Sequence, residues 1–250
     1  MMGQETFVDK SAPRIQAMFG EIAPKYDLLN NLLSVGFAKR WRRRFVSEIF
    51  AQLATHSEQR PTIETLDVAT GTGDVIAEEL RQLASSGLGG KEFRPIGVDF
   101  TPEMLEIARR KTPDVEFYEA DGMALPFDAE RFDAVTNSFG LRNMVDPALG
   151  IREMARTCRQ DGVVAILEFT STKFPLFAPL FRFYFKRVLP AIGNAIAKNK
   201  SSAYRYLPES VDAFDSPQCV LEMMNDAGLK DCVCRPMTFG VLQMYIGRKA

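Results

Sequence analysis

Apolar residues recur along the chain at two different spacings, and the change between them divides it. Up to about residue 60 the spacing is helical. Ile15, Met18, Phe19 and Ile22 fall three to four apart, and Phe37, Trp41, Phe45, Ile49 and Leu53 repeat near every fourth position. Pro61 ends that pattern. Short apolar runs of strand length follow at 63–69, 93–98, 115–120, 132–137 and 163–169. Helical stretches are predicted between them at 74–83, 102–110 and 146–158. Thr101-Pro102-Glu103 has the cap, first-turn proline and early acid of a helix start. A last helix over 217–227 and strands over 231–236 and 241–247 close the chain.

Strand and helix alternating in this way predict an α/β fold, a doubly wound, mostly parallel, seven-stranded sheet. One domain over 1–250 is expected: a helical cap (1–60), a core (61–170), a helical insertion (171–213) and a closing helix and strands (214–250).

Composition excludes several chemistries. With 46% hydrophobic and 25% charged residues, 17 glycines and 14 prolines, the chain is neither disordered, collagenous nor coiled-coil. Four cysteines (Cys158, Cys219, Cys232, Cys234) form no C-x-x-C pair and His56 is the sole histidine, so no metal site is expected. A Ser-His-Asp hydrolase would depend on His56, which lies in a polar run. Scattered cysteines fit a reducing cytoplasm. The first residues lack the basic start and apolar run of a secretory signal, and no apolar stretch approaches the ~20 residues that span a bilayer.

The formal net charge of −1 conceals an asymmetry. Lys39 to Arg44 carries five basic residues and no acid, and 169–208 carries seven with no carboxylate. Without these twelve, 19 basic residues face 32 acidic ones. So acidic a remainder opposes nucleic-acid binding, and no recognition module is present.

Gly71-Thr72-Gly73 follows the first predicted strand and opens a helix, where ligands bind in such sheets. A dinucleotide fingerprint needs a third small residue where Ile76 stands. Asp67 and Asp74 flank the loop; they would repel a pyrophosphate but suit the ammonium and sulfonium of S-adenosylmethionine. Asp99, ending the second strand, can accept hydrogen bonds from ribose hydroxyls. Asp121-Gly122-Met123 follows the third strand and can read an adenine edge, with Met104 and Met123 either sandwiching its rings or packing in the core.

These elements, with Ala124-Leu125-Pro126-Phe127 and Phe132-Asp133, resemble a class I methyltransferase. Longer stretches are similar to one family within that class, the C-methyltransferases of ubiquinone and menaquinone biosynthesis. They are Phe19-Gly20-Glu21-Ile22-Ala23-Pro24-Lys25-Tyr26-Asp27-Leu28-Leu29-Asn30, Ser34-Val35-Gly36 with Trp41-Arg42-Arg43, Ser138-Phe139-Gly140-Leu141-Arg142-Asn143 and Tyr204-Arg205-Tyr206-Leu207-Pro208-Glu209-Ser210. The resemblance runs from about Phe19 to Lys249. It implies cofactor contacts at Thr72, Asp99, Asp121, Gly122 and Ser138, and a prenylated hydroquinone as methyl acceptor, demethylmenaquinol before a benzoquinol. Histidines common in the family are replaced by Ala38 and Tyr245. Another small-molecule methyltransferase is the competing reading.

The implied chemistry asks for a group that stabilises a phenolate and one that takes its proton, since a phenol has a pKa of ~10. Arg142, after the fourth strand, is the expected oxyanion partner; it stays charged and cannot accept the proton. Tyr26, Asp27, Tyr204 or water are the candidates for that step. Five phenylalanines (Phe174, Phe177, Phe181, Phe183, Phe185) stand among Lys173, Arg182, Lys186 and Arg187. Such a surface suits the inner face of an anionic membrane, where a polyprenyl tail resides, or alternatively a lid or homodimer face.

Overall fold

Seven strands share one sheet in the order β3-β2-β1-β4-β5-β7-β6. The computed structural model describes residues 9–34, 36–56, 60–170, 187 and 203–250. The strands are β1 (Thr62–Val68), β2 (Glu92–Asp99), β3 (Glu116–Glu119), β4 (Phe132–Ser138), β5 (Cys158–Phe169), β6 (Leu229–Met237) and β7 (Leu242–Lys249). The first five run parallel, and β7 pairs antiparallel with both β5 and β6. The helices are α1 (Ala12–Ile22), α2 (Tyr26–Leu33), α3 (Phe37–His56), α4 (Asp74–Leu83), α5 (Pro102–Lys111), α6 (Pro147–Thr157), α7 (Ala203–Asp212) and α8 (Pro217–Asp226).

Strand alternation sends neighbouring side chains to opposite faces, which explains why the central runs are apolar throughout. Val164, Ile166 and Tyr245 join Leu66, Val135, Ile151, Met154, Val220 and Met224 on one face. Val163, Ala165, Leu167 and Met244 pack on the other against Trp41, Phe45, Ile49 and Leu53 of α3. The basic run of α3 straddles this packing. Lys39, Arg40, Arg43 and Arg44 are exposed, while Arg42 pairs with Asp74 at 2.9 Å. Ala38 and Tyr245, the two departures from the family's histidines, are both core residues.

Local chemistry sets the helix starts. Asp146 accepts from the Leu149 amide at 2.9 Å and Ser216 from the Cys219 amide, each followed by proline. At α5 the expected cap works differently. Thr101 occupies the cap position with Pro102 after it, yet its hydroxyl makes no cap bond. Asp99 is the side chain engaged there, accepting from the Thr101 amide at 2.8 Å. β5 begins well before its apolar run: it starts at Cys158, paired with Phe132 across a register shift, and Asp161 adopts a φ of 61°. The polar Arg159-Gln160-Asp161 concealed that extension.

The order reverses between β1 and β4, which opens a crevice at their carboxyl ends. Both strands leave it on a non-glycine residue with left-handed backbone, Ala69 (φ 55°) and Phe139 (φ 62°). Helix α1 closes over the crevice, with Ile15 and Met18 packed on Tyr206 of α7. The phenylalanine-rich stretch 174–185 lies outside the described residues. Among the described residues no helix is long and apolar enough to cross a membrane.

Candidate active site

The crevice encloses about 770 Å³ of space between protein atoms, part of it open to solvent. Its lining comes from four strand ends and the helical cap. Ala69 and Gly71 follow β1, Asp99 to Met104 follow β2, and Asp121 to Met123 follow β3. Ser138, Phe139, Gly140 and Asn143 follow β4, and Ile15, Phe19 and Tyr26 reach in from the cap.

Of the expected cofactor contacts, Gly71, Asp99, Met104, Asp121, Gly122 and Ser138 line the cleft. Gly71 has a φ of 56°, and a Cβ there would meet nothing within 4 Å, so any side chain would stand in the cleft itself. Asp99 is buried and tied down, accepting from the Gly71 amide at 2.8 Å and from the Thr101 amide at 2.8 Å. Burial pushes its carboxyl above the ordinary value, against the lowering effect of those amides. Asp121 accepts from the Met123 amide at 2.9 Å, which shapes the loop after β3.

Thr72 and Gly73, also expected to touch the cofactor, are not among the lining residues. The Thr72 hydroxyl donates to Asp27 at 2.6 Å, and Lys111 reaches both Asp27 (2.9 Å) and Asp74 (2.5 Å). Gly73 faces α5, where an added Cβ would come within 3.2 Å of Ala108. This cluster also corrects the charge argument. Asp74 is compensated by Lys111 and Arg42, and Asp67 accepts from Thr70 (2.7 Å) and Thr136 (2.6 Å) inside the core. The carboxylates that face the cleft are Asp99 and Asp121.

Those two still discriminate between ligands. A carboxylate pair with two thioethers, Met104 and Met123, suits a nucleoside carrying a cationic sulfur better than a diphosphate. Ser138 adds a buried hydroxyl with no hydrogen-bond partner among the described residues, which a ligand polar group would satisfy. The residues present therefore fit S-adenosylmethionine.

Arg142 reaches the rim with its guanidinium committed elsewhere. Its Nη1 donates to Glu168 at 2.8 Å and to the Phe139 carbonyl at 2.6 Å. Glu168 also accepts from the backbone amides of Arg142 (3.1 Å) and Phe169 (2.8 Å). Arg142 packs over the Phe169 ring and does not line the cleft. Beside it, Asn143 accepts from the Tyr206 hydroxyl at 3.0 Å and donates to the Phe139 carbonyl at 3.2 Å.

Tyr26 does line the cleft. Burial raises its hydroxyl above the ordinary value, with a hydrogen bond to Asn30 opposing, so it stays protonated at neutral pH. Asp27 is held in the Thr72–Lys111 cluster and does not line the cleft. The Tyr204 side chain lies outside the described ones. Pattern reading missed Lys10 and Ile15; neither belongs to a motif, and a helical repeat cannot say that Ile15 faces a ligand. Asn143 was visible as the last residue of S-F-G-L-R-N without a role attached.

Comparison with known proteins agrees with this geometry. The model of the ubiE/COQ5 methyltransferase family matches residues 7–249. The ubiquinone/menaquinone biosynthesis C-methyltransferase UbiE of Citrifermentans bemidjiense is 43% identical over 248 residues, covering 97% of this chain and 99% of that protein. The demethylmenaquinone methyltransferase of Thermus thermophilus is 45% identical over 234 residues, covering 92% and 99%. A solved SAM-dependent methyltransferase of Thermotoga maritima superposes with a TM-score of 0.56 at 17% identity, over 94% of this chain and 99% of that one, which shows a shared fold. The chain belongs to the ubiE/COQ5 methyltransferase family and is an S-adenosylmethionine-dependent C-methyltransferase.

Proposed function

We propose that the protein methylates a ring carbon of a prenylated hydroquinone, converting demethylmenaquinol to menaquinol. The observation that carries this reading is the division of the cleft. The loops after β2 and β3 supply Asp99, Asp121 and the two methionines, whereas the β4 side and the cap supply Phe19, Tyr26, Phe139 and Asn143. The second group is flat and apolar with a few polar tips, as a quinol ring with two hydroxyls requires. The relatives named for quinone methylation support the same substrate class.

S-adenosylmethionine supplies an electrophilic methyl group on a sulfonium. Asp99 would hold its ribose hydroxyls, Met104 and Met123 its adenine, and Asp121, Ser138 and the Gly71 backbone its remaining polar groups. Holding the two reactants in line accounts for much of the acceleration in such a site. The Tyr26 hydroxyl is a donor placed to hold a ring oxygen. Arg142 acts as a positioning residue: by binding Glu168 and the Phe139 carbonyl it fixes the Phe139–Asn143 turn that forms the acceptor wall. The basic, phenylalanine-rich composition of 171–202 suits an anionic membrane surface, where a polyprenyl tail resides.

The test is methyl transfer from labelled donor to demethylmenaquinol, with demethylated benzoquinol and a panel of phenols and amines in parallel. Menaquinol, carrying one new ring methyl, is expected as the main product. Methylation of the panel without the quinol overturns the reading.

A further inference from the structure

Lys10 precedes α1 and lines the cleft, half-buried. It is the one cation among the described lining residues. Its ammonium makes no hydrogen bond or close ion pair with a described residue. Asp9, its neighbour, is engaged by the Ser11 amide (2.9 Å) and Arg14 (3.5 Å). The charges that act on Lys10 are Asp215, Arg142 and Glu168. The last two neutralise each other, and all three belong to the β4–β5 side of the molecule or to the segment after α7. Tyr26 lines the same cleft, and Tyr206 lies behind Asn143; both hydroxyls are kept protonated by burial. Asp99 and Asp121 stand on the β2–β3 side.

We propose that Lys10 is the proton acceptor of the reaction, taking the proton of the quinol hydroxyl next to the carbon that is methylated. This rests on the quinol reading above. Among the described candidates the others are unsuited: Arg142 stays charged, Tyr26 and Tyr206 hold their protons, and Asp27 is engaged by Thr72 and Lys111. A lysine on a half-buried segment is different. Burial favours its neutral amine and Arg142 adds to that effect, while Asp215 and Glu168 oppose it.

The step balances. The quinol O–H bond breaks and an N–H bond forms at Nζ. The electron pair left on oxygen spreads to the ortho carbon, which bonds the methyl group as the methyl–sulfur bond breaks, its pair staying on sulfur. The methylated carbon then gives its own proton to water, restoring the aromatic ring. The Lys10 ammonium returns its proton to the oxygen, so one proton per turnover reaches solvent and the amine is regenerated.

The experiment measures kcat/KM for demethylmenaquinol between about pH 6 and 10 for wild type, Lys10→Met, Lys10→Arg and Lys10→Ala. Calorimetric binding of S-adenosylhomocysteine reports the integrity of each variant. Wild-type kcat/KM is expected to rise with pH to a plateau as the amine deprotonates. Lys10→Met and Lys10→Arg are expected to lose ~10²–10⁴-fold and the rising limb with it. Ethylamine is expected to restore part of the turnover of Lys10→Ala, in proportion to its free base. A Lys10→Met or Lys10→Arg enzyme within about threefold of wild type overturns the assignment. So does a flat wild-type profile, whatever the variants' folding. Wild type that leaves the quinol unmethylated removes the quinol reading as well, whereas active wild type with active Lys10→Met removes the lysine alone.

Discussion

Arg142 and Glu168 meet at 2.8 Å with side-chain exposures of 7% and 0%, an ion pair sealed under the rim of the cleft. Such a pair is a weak source of net stability, because both ions lost their water. Losing one partner is another matter, since the survivor is a buried, uncompensated charge.

The first prediction concerns that pair. Glu168→Ala and Arg142→Ala are each expected to lower folding stability by about 3–5 kcal/mol and to abolish turnover. Arg142→Met/Glu168→Leu together should regain most of that stability in urea denaturation and still bind S-adenosylhomocysteine, yet remain inactive. Turnover near wild type in the double variant would show that the turn after β4 needs no ionic anchor.

Asp99 is the second. Asp99→Ala removes the acceptor for ribose and orphans the Gly71 and Thr101 amides. With the net loss about that of one charge-assisted bond, about 1.5–3 kcal/mol, cofactor affinity should fall on the order of 10–100-fold, and less in Asp99→Asn. Calorimetry with S-adenosylhomocysteine decides it; equal affinity in all three proteins would remove Asp99 from the site.

Ser138 offers a cleaner separation of binding from folding. Its hydroxyl is buried and has no partner among the described residues, so Ser138→Ala deletes no hydrogen bond to any of them. Thermal stability should hold or rise slightly, while cofactor binding weakens by about 0.5–1.5 kcal/mol. A loss of stability with unchanged binding would contradict the role given to it.

The fourth follows from Asp67, whose carboxyl burial pushes up to about 6 despite hydrogen bonds from Thr136 and Thr70. An unfolded aspartate titrates near ~3.9, so the folded state binds the extra proton between these values. Asp67 thus favours folding fully below about pH 4, and that contribution is lost as pH rises through about 6, on the order of 3 kcal/mol. In Asp67→Asn the loss should vanish. The stability difference between variant and wild type, from urea midpoints at pH 4 to 7, should therefore grow with pH; a constant difference would refute the assignment.

Much of this was written in short-range pattern. The strands are visible because Leu66, Val135, Val164 and their neighbours must be apolar on both faces of a parallel sheet, and the site residues are visible because Asp99 and Ser138 end those strands and Gly71 and Asp121 follow them. Direction within a loop was not. Whether Thr72 faces ligand or cap depends on Asp27 and on Lys111, whose bond to Asp27 joins positions 84 apart. A separation of 37 positions from Lys111 likewise hid the compensation of Asp74. Arg142 carried a charge in sequence that Glu168, 26 positions later, cancels in space. Lys10 bears no periodic mark at all; only folding α1 over the crevice gives it a location.

Because Asp99 already clasps the Gly71 and Thr101 amides, the glycine turn has few alternative shapes to surrender when a nucleoside arrives. Little ordering entropy then opposes binding. Uptake of the donor should accordingly show near rigid-body kinetics at that turn, with any slow phase arising in the helices of the cap.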